Sequence, residues 1–150
     1  MSTPSLTPAE ERLWHDWLLV NARMTMARQR DLQADGLSAP DLDVLGHLGH
    51  NPDGRARVTD LAGHLQWERS RVSHHVARME GRGLVRRVEC PSDGRGAFVV
   101  LAPAGRDALE QAAPGHVRTV RRLLVDALDA DEQEQLARLL ARLLEVHRAD

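Results

Sequence analysis

The chain has 150 residues, 42% of them hydrophobic and 28% charged, with a formal net charge of -2. That composition excludes global disorder and allows one domain with a real core, or a compact domain plus an oligomerisation element. No apolar run approaches a membrane span, Met1 to Pro8 lacks the features of a secretory signal, and a lone cysteine, Cys90, offers neither an internal disulfide nor metal-site spacing. A cytoplasmic protein with no membrane partner, metal or cofactor is therefore expected.

Residues 1–8 are expected to be a mobile N-terminus. Thr7-Pro8-Ala9-Glu10 supplies an N-cap hydroxyl, proline at the first helical position and a glutamate three residues after the cap, so a helix begins there. Leu13, Trp17, Val20, Met24 and Ala27 recur at helical spacing, Trp14 and Leu18 widen the stripe, and Gly36 marks the end. Ser38-Ala39-Pro40-Asp41 repeats the start signal for a shorter helix with Leu42, Leu45 and Leu48 inward, followed by a turn at Asn51-Pro52-Asp53-Gly54. Arg55 to Val58 reads as a short strand, and Thr59 as the N-cap of a helix from Asp60 to Gln66 that buries Leu61, Ala62 and Leu65.

Another helix follows almost at once. Val72, Val76 and Met79 form its core stripe, and Gly81 and Gly83 mark its exit. Two short helices this close predict a helix-turn-helix. Leu84 to Cys90 and Ala97 to Leu101 then read as a β-hairpin around the loop chemistry of residues 91–96. Pro103 suits the first turn of a long helix carrying Leu109, Ala112 and Val117, with a kink or break expected at Pro114-Gly115 before Leu123, Leu124 and Leu128. Asp129 and Glu132 make a capping box for the last helix, whose Leu136, Leu139, Leu140, Leu143 and Leu144 form a stripe too apolar to leave in water.

Charge is divided unevenly along this order. Residues 55–106 hold ten arginines against five acids, so an acidic chain carries a basic centre, and every basic residue other than histidine is arginine. On a helical wheel Ser70, His74, Ala77 and Gly81 lie opposite Val72, with Ser73, Arg71 and Arg78 on the flanks. This outward face is small, polar and cationic, the chemistry that enters a major groove and bonds base edges and phosphates. Arg69, Ser70, Arg71, Ser73, His74 and Arg78 are the candidate contacts on this helix, with Arg71 and Arg78 foremost. At the hairpin tip Arg95 is slim enough for a narrow minor groove, and Asp93 is placed to orient its guanidinium.

The order of elements, together with Ser70-Arg71-Val72-Ser73-His74, Arg82-Gly83-Leu84-Val85-Arg86-Arg87 and Asp93-Gly94-Arg95, resembles the MarR family of bacterial winged helix-turn-helix regulators over roughly residues 10–148. The resemblance implies a mainly α (α+β) fold in which 9–36 and 103–150 form a helical dimerisation region around a DNA-binding lobe at 38–102. It further implies a homodimer on an inverted repeat of double-stranded DNA, most often a repressor, released by a small phenolic ligand or by oxidation. Arg86, Asp93 and Arg95 become the wing contacts, and Leu13, Leu136, Leu139, Leu140 and Leu143 the dimer contacts. Trp14, Trp17, Met24, Met26 and His47 are the nearest candidates for an effector pocket. Two departures stand out: Gly94 replaces an arginine usual at the wing tip, and Ala102 replaces a threonine that would cap the long helix.

Other classes fare worse against the residues. No Gly-x-Ser-x-Gly, His-Glu-x-x-His or phosphate loop is present, so no catalytic residue is expected. A dimeric adaptor with a degenerate DNA-binding lobe is the alternative that Gly94 favours. A redox-responsive regulator using Cys90 is another, although Glu89 beside that thiol disfavours the thiolate.

Overall fold

The computed structural model describes residues 5–89 and 96–147. The described residues form six α-helices and a small sheet, in the order α1 (Pro8–Ala34), α2 (Ala39–His50), β1 (Arg55–Arg57), α3 (Val58–Leu65), α4 (Arg69–Gly81), β2 (Val85–Val88), β3 (Phe98–Leu101), α5 (Pro103–Val120) and α6 (Ala130–Val146), with a π-helical segment at Arg121–Val125. The fold class expected from the sequence is the one observed.

Three helices open on the capping boxes legible in the sequence. Thr7, Ser38 and Asp129 each accept from the backbone of the residue three ahead, and the side chains of Glu10, Asp41 and Glu132 reach back to the cap. Thr7 and Pro8 thus belong to the opening turn of α1 rather than to a loose N-terminus. α3 departs from expectation: it starts at Val58, one residue before Thr59, with Arg57 as an N-cap whose side chain makes no cap bond. The chain leaves β1 directly into the helix, and packing of Val58 against the core fixes the start in place of a hydroxyl. α5 likewise begins at Pro103 with no side-chain cap on Ala102, the proline ring presetting the first turn.

Pro114 does not break α5. The helix runs through it to Val120, and the irregularity comes later, at the π-helical turn. Proline removes one hydrogen bond there, but α5 is held from the side by α1, including a hydrogen bond from Thr119 Oγ1 to Asp31. Val117 faces out.

The sheet has strand order β1-β3-β2, both pairs antiparallel, with Arg86 opposite Val100 and Ala56 opposite Val99. Leu45, Leu48, Leu61, Val72, Val76, Met79, Val85 and Val99 are fully buried in one core under this sheet. Each contributes about 1.5–3 kcal/mol by leaving water. Gly105 lets α5 seat on that core: a Cβ there would lie 2.0 Å from the carbonyl oxygen of Leu84.

α6 is different. It has no buried residue, and Leu139, Leu143, Leu144 and Val146 are exposed, as are Leu13, Trp14, Trp17 and Leu18 of α1. These faces meet in an apolar groove of about 470 Å³ lined by Leu13, Trp14, Trp17, Leu140, Leu143 and Leu144. No helix among the described residues is long and apolar enough to cross a membrane.

Candidate nucleic-acid interface

α3 and α4 are joined by three residues. Gln66 takes the left-handed conformation (φ 55°) at the end of α3 and donates from Nε2 to the carbonyl of Gly63 at 2.6 Å; Trp67 and Glu68 then lead into α4. α4 sits on the core through Val72, Val76 and Met79, which are completely buried, so its rotation about its own axis is fixed. That rotation exposes Arg69, Ser70, Arg71, His74, Ala77 and Arg78, with Ser73 half-buried at the edge. The face drawn on the wheel is the face presented to solvent.

Its electrostatics are one-sided. The only acid on α4 is Glu80, whose carboxylate accepts from the backbone N–H of Arg87 at 2.8 Å and lies 3.3 Å from its guanidinium. The backbone bond comes first among the causes that hold the Glu80 carboxyl below its usual range, and Arg87 adds to it. The arginines further along the exposed face therefore meet no counter-charge from their own helix.

Two of those arginines are held in place. The Arg71 guanidinium stacks over the Trp67 ring, 4.2 Å from its centroid, and Arg78 Nη2 lies 3.0 Å from Nδ1 of His75. Trp67 meets the His75 ring edge-on at 5.6 Å, so both arginines rest on one aromatic pair. On the far side of His75, Asp41 Oδ1 lies 3.0 Å from Nε2, short of a well-aligned hydrogen bond, while Asp41 Oδ2 receives Arg82 at 2.8 Å and the Ser38 N–H at 2.9 Å. Arg82 also donates to the carbonyl of Gly36 at 2.7 Å. Asp41 and Arg82 thereby tie the turn after α1, the cap of α2 and the middle and C-terminal end of the arginine-bearing helix into a single joint.

In the hairpin, Arg86 is exposed on β2, and Phe98 of β3 lies under two guanidinium groups of β1, Arg55 at 4.8 Å and Arg57 at 4.5 Å. Asp93, Gly94 and Arg95, and with them the wing tip, lie outside the described residues, as does Cys90. Trp67, Arg55 and Arg57 were missed as contributors to this surface. Trp67 stands four residues before Arg71 at the start of a helix, a spacing that could have revealed the pair.

The residues considered for an effector pocket do not share one cavity in the single chain. Trp14 and Trp17 line the α1–α6 groove, Met26 is exposed, Met24 is half-buried, and His47 stands in a separate cleft on α2. The reason is length: the 27 residues of α1 extend about 40 Å, so residues at its two ends serve different surroundings. The cleft around His47, about 570 Å³, is lined by Arg28, Leu42, His64, Leu109 and His116, with the His47 and His64 rings 4.2 Å apart. Burial, then the neighbouring His64, holds the His47 imidazole below its usual range. Of the expected dimer contacts, Leu13, Leu139 and Leu143 are exposed and Leu136 and Leu140 half-buried.

Comparison with known proteins adds four findings. The family model for the MarR family matches residues 35–96. The crystal structure of AbsC, a MarR family transcriptional regulator from Streptomyces coelicolor, is 37% identical and superposes with a TM-score of 0.94 over 99% of this chain and 100% of that one. Sco3205, a MarR family transcriptional regulator from the same organism crystallised in complex with DNA, is 36% identical, with a TM-score of 0.91 over 95% of this chain and 91% of that one. The HTH-type transcriptional regulator YdgJ of Bacillus subtilis is 28% identical over 108 residues, 72% of this chain, which spans 64% of YdgJ's own length. With a helix-turn-helix whose outer face is cationic, a winged sheet beside it and a full-length likeness to AbsC, the chain belongs to the MarR family of transcriptional regulators.

Proposed function

We propose that the protein is a homodimeric repressor that reads a pseudo-palindromic operator, with α4 in the major groove and the hairpin wing along the adjacent minor groove. The observation that carries this is the outer face of α4: a cationic surface with its axial rotation locked by three buried side chains. Arg69, Ser70, Arg71, Ser73, His74 and Arg78 are the groove and phosphate contacts in this reading, and Arg86, Asp93 and Arg95 those of the wing. The likeness to Sco3205, solved with DNA, supports it.

Dimerisation in this reading buries the apolar faces of α1 and α6, with residues 9–36 and 103–150 as the pairing region and 38–102 as the reading lobe. Leu13, Leu136, Leu139, Leu140 and Leu143 line the contact. A patch that apolar is costly to leave in water. Two copies also place two recognition helices one turn of DNA apart, the spacing an inverted repeat demands. A small-molecule effector that releases the operator fits the cleft around His47, which lies where α1, α2 and α5 meet. The protein acts in the cytoplasm, where its operator is.

DNase protection across the region upstream of the protein's own gene, with a parallel titration against salt, tests the reading. The expected result is a two-fold symmetric footprint whose affinity falls steeply as salt rises. Salt-insensitive binding, or none at low ionic strength, refutes it and leaves the adaptor.

A further inference from the structure

Arg78 can only donate hydrogen bonds, so at 3.0 Å from Nδ1 of His75 it fixes the state of that ring: Nδ1 carries the lone pair and the proton sits on Nε2, the atom facing Asp41. A second proton on the ring would occupy Nδ1 and set a cation against the Arg78 guanidinium. We propose that neutral His75 is the positioning residue for Arg78 on the DNA-reading face, and that protonation of His75 releases Arg78 from its reading pose. This rests on the assignment of Arg78 as a DNA contact made above.

The surroundings of His75 define the switch. Asp41 faces it from α2, Trp67 from the turn before α4, and Arg71 and Arg78 from α4 itself; Arg82, beyond Asp41, shares that carboxylate. Only Asp41 favours a charged ring. Burial, first, and then the two arginines outweigh it and keep the imidazole below its ordinary range. His75 is 7% exposed, yet it lines a cavity of about 520 Å³ with Gln29, Gln33, Arg78 and Arg82, so protons reach it from solvent. The neutral, Arg78-holding form therefore prevails at neutral pH and is lost as pH falls through the lowered value. Acid thus weakens the grip that His75 exerts on DNA recognition.

The experiment uses the duplex that the wild-type protein selects from a random DNA pool, with affinities read by fluorescence anisotropy. His75→Leu is expected to weaken binding about tenfold, the worth of one lost charge-assisted hydrogen bond, and to cost nothing further once Arg78→Ala is in place. His75→Asn, whose Oδ1 falls where Nδ1 stood and keeps a neutral acceptor for Arg78, is expected to match wild type at neutral pH and to bind more tightly than wild type once acid protonates His75. Equal costs of His75→Leu with and without Arg78, or parallel pH profiles for wild type and His75→Asn, overturn the proposal while leaving DNA recognition intact. If His75→Leu does not fold, judged by circular dichroism, the comparison with His75→Asn decides alone. Failure of the wild type to select any duplex overturns the DNA-reading assignment and this inference with it.

Discussion

Asp41→Asn is the most informative single change, because it removes one charge and almost no volume from the joint between the helical arms and the reading lobe. Asp41 is 2% exposed and holds the Ser38 N–H at 2.9 Å and Arg82 at 2.8 Å, with His75 at 3.0 Å. The cap bond survives in part, since an amide oxygen also accepts. Arg82 is 44% exposed, so its share is discounted for solvent to about 1 kcal/mol. An amide that keeps its oxygen on Ser38 and Arg82 turns its NH2 toward the Nε2–H of His75, donor against donor, which adds about 1–2 kcal/mol. The total, about 2–3 kcal/mol, corresponds to a fall in Tm of about 6–9 °C for a domain of this size. Thermal unfolding followed by circular dichroism at fixed protein concentration measures it.

The pH dependence sharpens the test. Burial alone would push the Asp41 carboxyl up, but Arg82 and the Ser38 N–H more than offset this and hold it below its usual range. A lowered carboxyl stabilises the fold above its unfolded-state value, and that contribution disappears as pH falls through the native value. Wild type and Asp41→Asn should therefore differ most near neutrality and converge in acid. A difference below about 0.5 kcal/mol at neutral pH, or melting curves that stay parallel into acid, would refute the account of the joint.

Three further outcomes are expected. Gly105→Ala should destabilise the fold by about 3 kcal/mol or more, because the new methyl meets the Leu84 carbonyl and α5 must lift; a melting temperature close to wild type contradicts that seat. Arg71→Ala should weaken operator binding and reduce the slope of log affinity against log salt by about one per subunit, so an unchanged slope argues against a phosphate contact. Leu143→Glu places a charge in the α1–α6 groove and should yield a monomer in sedimentation velocity, and a persisting dimer would move the pairing surface elsewhere.

The sequence was most legible where a short-range rule decides the outcome. Three capping boxes fall where a hydroxyl or carboxylate precedes an acid by three residues, and the burial of Val72, Val76 and Met79 follows from their spacing alone. Thr59 misled because packing of Val58 set the helix start, and Pro114 misled because contact with α1 carries α5 across the missing bond. What no periodicity can show is a partner brought from afar. Asp41 meets Arg82 across 41 residues of sequence, and the charge pattern gave no hint that the acid in a capping box also braces the recognition helix. The effector candidates on α1 illustrate the converse, since residues of one helix end up in separate environments along a long rod.

The chain's three tryptophans divide between two places: Trp14 and Trp17 in the groove of α1 and α6, and Trp67 under Arg71. Natural emission therefore carries two separable signals. Dilution would alter the light from the first pair, and a duplex drawing Arg71 off its indole would alter that from the third. With Trp14 and Trp17 replaced by phenylalanine, the molecule would carry its own label-free gauge of whether the guanidinium rests on the ring or on nucleic acid.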